Sequence, residues 1–349
     1  QALLSVAALV IIGAGIKASV DLLVPFLLSI FIATIAVSPV FWLERRRLPS
    51  ALAIGLVMVA IILVLVAIAA LIFQSGTAFT NRLPFYQLRI AELMADLAAW
   101  LQPFGLEINT DLALSYFNPA TALVLAGNLL RGLGSVLGNS FFILLTVIFI
   151  LAEASSFPRK LRDILSNPER DLPYFTQFAE NVNRYIAIKT TTSLATGILV
   201  SITLVLLGVD FPILWGLLAF LLNYVPTIGS IIAAVPAVLL ALIQLGPGPA
   251  LIATGGYVVI NIGMGNVIEP RFMSRGLGLS TLVVFISLVV WGWLLGPIGM
   301  FLSVPLTMTA KIALQANPTS AWMAHLLGPA EGQPPEDRNE AIDETRQSG

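Results

Sequence analysis

The sequence has no cysteine and one histidine, and only 11% of its 349 residues are charged. Without cysteine there is no disulfide framework, thiolate zinc site or thiol redox motif. The single histidine, His325, lies beyond the last long apolar segment, which argues against a histidine-based relay, triad or metal site. A soluble domain carries about 25% charged residues, so the shortage of charge excludes an ordinary soluble globular fold. No Gly-x-x-x-x-Gly-Lys-Ser/Thr loop is present, and no Gly-x-Gly-x-x-Gly follows a strand-like run, so nucleotide chemistry has no motif to rest on. Net charge is −1, and no part of the chain is basic enough to bind nucleic acid. No cofactor and no metal are called for, and an enzyme is not the expected reading.

What the sequence does have is apolar residues: 58% of the chain, with a mean hydropathy of +0.93. The runs are long and lack the two-residue alternation of a membrane barrel. The expected fold class is all-α, a polytopic membrane helix bundle. Residues 51–73 contain no charge; 23 residues at 1.5 Å each give roughly 34 Å, enough to cross a bilayer core of ~30 Å. Residues 1–16 and 22–43 read as a helical hairpin, part of N-terminal membrane helices over 1–73. The first sixteen residues lack the basic flank of a cleavable leader, and the chain is expected to begin before Gln1.

Composition changes at Gln74. Residues 74–131 hold seven charges and three prolines. Phe85, Leu88, Leu93, Leu97, Trp100 and Phe104 recur mostly every three to five positions, which predicts a water-exposed amphipathic helix in a small extramembrane subdomain. Residues 132–210 read as a span, a charged cytoplasmic loop over 153–189, and a second span closed by Asp210 and Pro212. Residues 211–316 contain two apolar blocks broken by Pro and Gly, and 317–349 form an acidic tail expected to be disordered.

The two broken blocks echo each other. Trp215-Gly216, Pro226-Thr227-Ile228-Gly229 and Val235-Pro236 in the first correspond to Trp291-Gly292, Pro297-Ile298-Gly299 and Val304-Pro305 in the second. Proline removes a backbone donor and frees a carbonyl. In hydrocarbon an unsatisfied backbone group costs several kcal/mol, so such breaks survive only inside protein or beside water. Paired interruptions in two halves are a pointer to a transporter's binding site, and ordinary Pro/Gly kinks are the competing explanation. Lysine and arginine favour the cytoplasmic face. Placing the Arg45–Arg47 loop inside and residues 74–131 outside makes both broken blocks re-entrant hairpins entering from opposite faces.

Polar residues within the apolar blocks supply the candidate site. Asn223 and Tyr224 adjoin the Pro226 break, and Asn261 and Asn266 lie on the following span. Pro226, Gly229, Pro297 and Gly299 would open the backbone so that carbonyls and amides could meet a solute. A charge at the bilayer centre costs ~2.5–3.5 kcal/mol on insertion scales, so Glu269 needs an interface, water or a partner. Arg271, two residues away, is the nearest cation in sequence, and the two are assigned as a gate or coupling pair.

The stretches Asn223-Tyr224-Val225-Pro226-Thr227-Ile228-Gly229-Ser230, Asn266-Val267-Ile268-Glu269-Pro270-Arg271, Gly276-Leu277-Gly278-Leu279-Ser280 and Trp293-Leu294-Leu295-Gly296-Pro297-Ile298-Gly299-Met300 resemble the signature segments of the autoinducer-2 exporter family of permeases. The resemblance extends in weaker form from Pro25 to Lys311. It implies a multi-pass protein of the bacterial inner (plasma) membrane, assembled as a homo-oligomer, a pentamer, that exports the quorum-sensing signal autoinducer-2. Within the same family some members are described as monovalent cation/proton antiporters, which would require Glu269 or Asp210 in the pathway. A non-transporting oligomeric scaffold or sensor is the third reading. The expected partners are the lipid bilayer, further copies of the chain and a small polar solute. The acidic tail does not match the family pattern.

Overall fold

The computed structural model describes residues 2–104, 139–154, 160, 162–163, 168–226, 228–272, 279–315 and 320–328. Residues 105–138, the Gly276–Gly278 motif and the acidic tail from residue 329 on lie outside the described residues, whereas Ala321–Leu326, inside the segment expected to be disordered from residue 317, is helix. Among the described residues there are helices and turns and no strand.

Helices α1 (Ala2–Ala18) and α2 (Val20–Arg45) are joined through Ser19 alone. The expected hairpin here is absent. Ser19 N–H donates to the Gly15 carbonyl at 3.1 Å, and Leu23 N–H donates to the Ser19 carbonyl at 2.9 Å. Helical bonding therefore continues on both sides of the joint. An αα-hairpin takes a loop of about 2–5 residues, so the chain bends here and does not fold back.

Helix α3 spans Ser50–Leu101, 52 residues without interruption, Pro84 included. The compositional boundary at Gln74 is thus not a structural one. The charge-free span and the amphipathic stretch are one rod of about 78 Å at 1.5 Å per residue, more than twice a bilayer core. Helix α4 (Ser140–Ala154) packs Ile143, Val147 and Leu151 against Leu28, Ala33, Ala36 and Val40 of α2 and Ala53 and Val57 of α3.

Helix α5 (Pro168–Leu207) is also continuous, so part of the expected 153–189 loop is helix. Then come α6 (Pro212–Leu222), α7 (Ile228–Leu245) and α8 (Pro247–Ile262), which runs through a π-helical turn (Gly263–Ile268) into the short α9 (Glu269–Phe272). Helices α10 (Thr281–Leu295), α11 (Pro297–Gln315) and α12 (Ala321–Leu326) complete the described chain. Among the described residues, six helical segments are long and apolar enough to cross a membrane: Val20–Arg45, Ser50–Phe104, Val182–Leu207, Ile228–Leu245, Pro247–Ile268 and Pro297–Gln315.

Both broken blocks are helical hairpins. In the first, Trp215, Leu218 and Ala219 of α6 share a core with Ala233, Ala237, Leu240 and Ala241 of α7. In the second, Gly292 of α10 faces Met300 of α11, and Trp291 Nε1 donates to Thr307 Oγ1 at 3.0 Å. The second break is Gly296 alone, at φ +70°, a conformation that costs glycine little. Pro236 and Pro305 were expected to interrupt these blocks, yet α7 and α11 pass through both. Pro212, Pro247 and Pro297 each open a helix, where a missing N–H goes unmissed.

Helix α5 is flanked by α6 and α8. Against α6 and the turn that follows it, α5 presents Thr190, Ser193, Gly197 and Ser201, spaced as one helical face. At the crossing point a Cβ on Gly216 would strike Ser201 Oγ and the Gly197 carbonyl, so the two backbones touch. Along the other side, Thr203 meets Gly256 of α8 and Lys189 meets Glu269 of α9.

Candidate functional site

The tip of the first hairpin is a turn over Asn223–Pro226. Val225 N–H donates to the Leu222 carbonyl at 2.9 Å and Gly229 N–H donates to the Val225 carbonyl at 3.2 Å. A Cβ on Gly229 would collide with the Leu222 carbonyl, so only glycine lets α7 leave the turn this tightly.

The turn presents its polar side chains to α5. Asn223 Nδ2 donates to Ser193 Oγ at 3.0 Å. Tyr224 O–H donates to Thr190 Oγ1 at 2.6 Å, and Thr190 in turn donates to the Ile186 carbonyl at 2.7 Å. Helix α5 thus supplies hydroxyls where an irregular turn would otherwise leave amide and phenol groups unpaired.

Around Tyr224 sits an aromatic cluster. Its ring lies 4.5 Å from that of Phe301 on α11, 5.7 Å from Phe31 on α2 and 5.8 Å from Phe220. Phe31 and Phe301 are themselves 5.0 Å apart, edge to face. Ring pairs at these separations are favourable beyond the area they bury. The cluster joins the tip of one hairpin to the second hairpin and to α2.

One residue before Thr190, Lys189 Nζ lies 2.9 Å from both carboxylate oxygens of Glu269. The side chains are only 7% and 17% exposed. Either charge alone in this position would face a desolvation penalty of several kcal/mol. The π-helical turn Gly263–Ile268 immediately precedes Glu269; such bulges are frequent at functional sites.

The expected pairing of Glu269 with Arg271 is therefore corrected. Arg271 is exposed, and the ion-pair partner of Glu269 is Lys189. The reason is helical geometry: residues two apart on a helix point away from each other. Of the other residues singled out from sequence, the structure brings Asn223 and Tyr224 together with α5, with Pro226 half-buried in the same turn. Asn261 is half-buried on α8 and Asn266 is exposed on the π turn. Pro297 is exposed, while Gly299 is packed so that a Cβ would strike the Trp291 carbonyl. Sequence reasoning missed Lys189, Thr190, Ser193, Phe31 and Phe301. A signal for the first three existed: Lys189 is the last charge before an apolar run, and the hydroxyls at 190 and 193 follow it at helical spacing.

The sequence profile described as AI-2E family transporter matches residues 6–318. The chain is 40% identical over 319 residues to the AI-2 transport protein TqsA of Escherichia coli K12, an alignment covering 91% of this chain and 93% of that one. It is 42% identical over 337 residues to a putative transport protein of Haemophilus influenzae, with 95% and 97% of the two chains covered. Another similar chain is the putative transport protein YhhT of Escherichia coli K12, 36% identical over 94% of each.

Proposed function

The chain belongs to the AI-2E transporter family, and from that premise we propose that it is a secondary transporter exporting a small polar metabolite, the quorum-sensing signal autoinducer-2, across the bacterial inner membrane. It is a multi-span membrane transporter and not an enzyme. The observation that carries the finer reading is the hairpin-tip site. There, an irregular turn presents Asn223 and Tyr224 to the hydroxyls of α5, beside a buried lysine–glutamate pair. Amide, phenol and hydroxyl groups of this kind suit a solute rich in hydroxyls. The name of the Escherichia coli relative supports autoinducer-2 as that solute.

In this reading the tip of the first hairpin contacts the solute, and Lys189–Glu269 is the charged element beside it. The hairpins dip into the membrane without crossing, and further copies of the chain surround each protomer as a homo-oligomer. Glu269 takes the coupling role through Lys189, with Arg271 at the adjoining surface. Asn261, Asn266, Pro226, Gly229, Pro297 and Gly299 line or shape the remainder of the path.

A second reading is a monovalent cation/proton antiporter. It is favoured by the presence of a largely buried carboxylate, Glu269, in the interior of the bundle. The deciding experiment is flux of labelled autoinducer-2 in proteoliposomes of the purified chain, with a proton gradient imposed and then collapsed. Flux that follows the gradient establishes a proton-coupled carrier. Flux indifferent to it establishes a facilitator. No flux through correctly inserted protein overturns the exporter reading and puts the antiporter first.

A further inference from the structure

The other concentrated set of charged and polar contacts lies at the far end of α5, about 27 Å along the helix from Lys189 to Leu207. Its centre is Asp210, in the four-residue connection (208–211) between α5 and α6. Arg82 forms an ion pair with the Asp210 carboxylate, and Tyr86 O–H donates to the same carboxylate at 2.7 Å. The Asp210 backbone N–H donates to Gln244 Oε1 at 2.8 Å, while Gln244 Nε2 donates to the Gly208 carbonyl at 3.0 Å. Trp215 Nε1 donates to the Asp210 carbonyl at 2.9 Å. One aspartate thus ties together α3, both arms of the first hairpin and the end of α5.

The position of Arg82 and Tyr86 on α3 gives this contact its meaning. They stand about 48 and 54 Å along the helix from Ser50, beyond the ~30 Å needed to cross a bilayer core. The part of α3 that clamps the hairpin base is therefore the part that projects past the membrane. Tyr86 is completely buried there, and its ring and that of Phe211 flank Phe79 at 5.7 and 6.0 Å.

The connection held by this clamp is strained. Gly208 has φ +76° and Phe211 has φ +58°. Glycine adopts that region freely, but a bulky residue such as phenylalanine rarely does. A backbone in this state persists only while surrounding contacts over-determine it, and here those contacts all pass through Asp210 and its neighbours.

The two ion pairs differ in how readily they can open. At the Asp210 end the arginine side chain is 55% exposed, so water can solvate the guanidinium as it leaves. In the pair between α5 and α9, beside the hairpin tip, the lysine is 7% exposed, and separation would strand a buried charge. The first hairpin is thus held at its tip by the hydrogen bonds of Asn223 and Tyr224 to α5, beside the buried pair that ties α5 to α9, and at its base by a water-accessible ion pair.

We propose that Asp210, with Arg82 and Tyr86, is a releasable latch that closes the end of the transport pathway opposite the hairpin tip. The latch holds the base of the first hairpin against the projecting arm of α3. When it opens, strain at Phe211 relaxes, and the hairpin base moves away from α3. The arm thereby couples whatever happens outside the membrane to the position of the hairpin. The latch rests on the transporter reading, but its opening can be measured without transport.

The chain has no cysteine, so the test needs no background removal. Phe79 and Phe211 are replaced together by cysteine in the full chain, and labelled autoinducer-2 flux is followed in proteoliposomes before and after a short thiol cross-linker that is cleaved by reductant. Cross-linking is expected to lower flux at least tenfold, and reduction to restore it; full flux through the cross-linked protein overturns the latch. The second measurement uses Phe211→Cys alone and a membrane-impermeant maleimide. Adding Asp210→Asn or Arg82→Gln is expected to raise the labelling rate several-fold, and an unchanged rate in both overturns the proposal. If the unaltered chain moves no solute, the exporter reading fails by itself, while the labelling rates still decide whether the latch opens.

Discussion

Lys189 and Glu269 are separated by 80 residues of sequence, yet the lysine nitrogen sits 2.9 Å from both oxygens of the carboxylate. The pair joins α5 to the end of the helix that follows the first hairpin. It does so one residue from the Thr190 hydroxyl that holds the hairpin tip. A charge pair in low dielectric contributes little net stability when intact, but breaking it by removing one partner costs about 3–5 kcal/mol.

That asymmetry separates structural from transport roles. Glu269→Gln is expected to lower the unfolding temperature markedly in detergent and to abolish solute flux. Lys189→Met combined with Glu269→Gln removes both charges, and is expected to regain most of the thermal stability without regaining flux. A double variant that transports at the wild-type rate would show the pair to be purely structural.

Tyr224→Phe keeps the ring among Phe31, Phe220 and Phe301 and removes only the hydroxyl. Thr190 retains its bond to the Ile186 carbonyl, so no donor is left orphaned. Stability should fall by about 0.5–1.5 kcal/mol. If the hairpin tip meets the solute, the half-saturating concentration for flux should rise several-fold while the amount of inserted protein stays the same. An unchanged half-saturation would place the solute elsewhere.

The crossing of α5 and α6 depends on two glycines. A Cβ on Gly197 would lie 2.6 Å from the Gly216 carbonyl oxygen and 2.9 Å from Phe220 Cβ. Overpacking of a tight interior costs about 1–3 kcal/mol, and a backbone atom cannot rotate aside. Gly197→Ala and Gly216→Ala should therefore reduce both thermal stability and yield. Gly255→Ala, where a Cβ meets nothing within 4 Å, should be neutral or slightly stabilising, since alanine favours helix over glycine by about 1 kcal/mol. Equal losses at all three positions would count against the close crossing.

Orientation can be read by thiol labelling. Cysteine at Gly248, in the first turn of α8, should react with an impermeant reagent from outside the cell. Cysteine at Ser274 should react from the cytoplasmic side alone. Labelling of Ser274 from outside would mean that the first hairpin crosses the membrane once, and the re-entrant arrangement would be wrong.

The long apolar segments were legible because the bilayer imposes them: a span needs about 20 apolar residues, and no tertiary partner can substitute for that. The break at Asn223–Pro226 was legible for a related reason, since proline and a turn-forming asparagine interrupt a helix locally. The Gln74 boundary misled because composition reports what surrounds a helix and not where its hydrogen bonds stop. The bend at Ser19 misled similarly, because the polar residues between the apolar runs 1–16 and 22–43 look like a loop although the backbone hydrogen bonding there stays helical. At the internal echo, Trp215-Gly216 and Trp291-Gly292 both lie on the first arms of the two hairpins, the former near the start of its helix and the latter near the end. Gly216 nevertheless packs on another helix, and Gly292 packs on its own hairpin partner.

By itself, the sequence determined that the chain is a helical membrane protein with two interrupted hairpin blocks and a carboxylate at Glu269 in need of a partner. Those properties follow from local quantities: hydropathy, the missing N–H of proline, and the cost of an isolated charge. Only the tertiary structure decided that the partner is Lys189, that Tyr224 rests on Thr190, and that Asp210 meets Arg82 and Tyr86 of a helix more than 120 residues earlier. These pairings depend on how α3, α5, α6 and α8 pack side by side, and the order of residues along the chain does not carry that information.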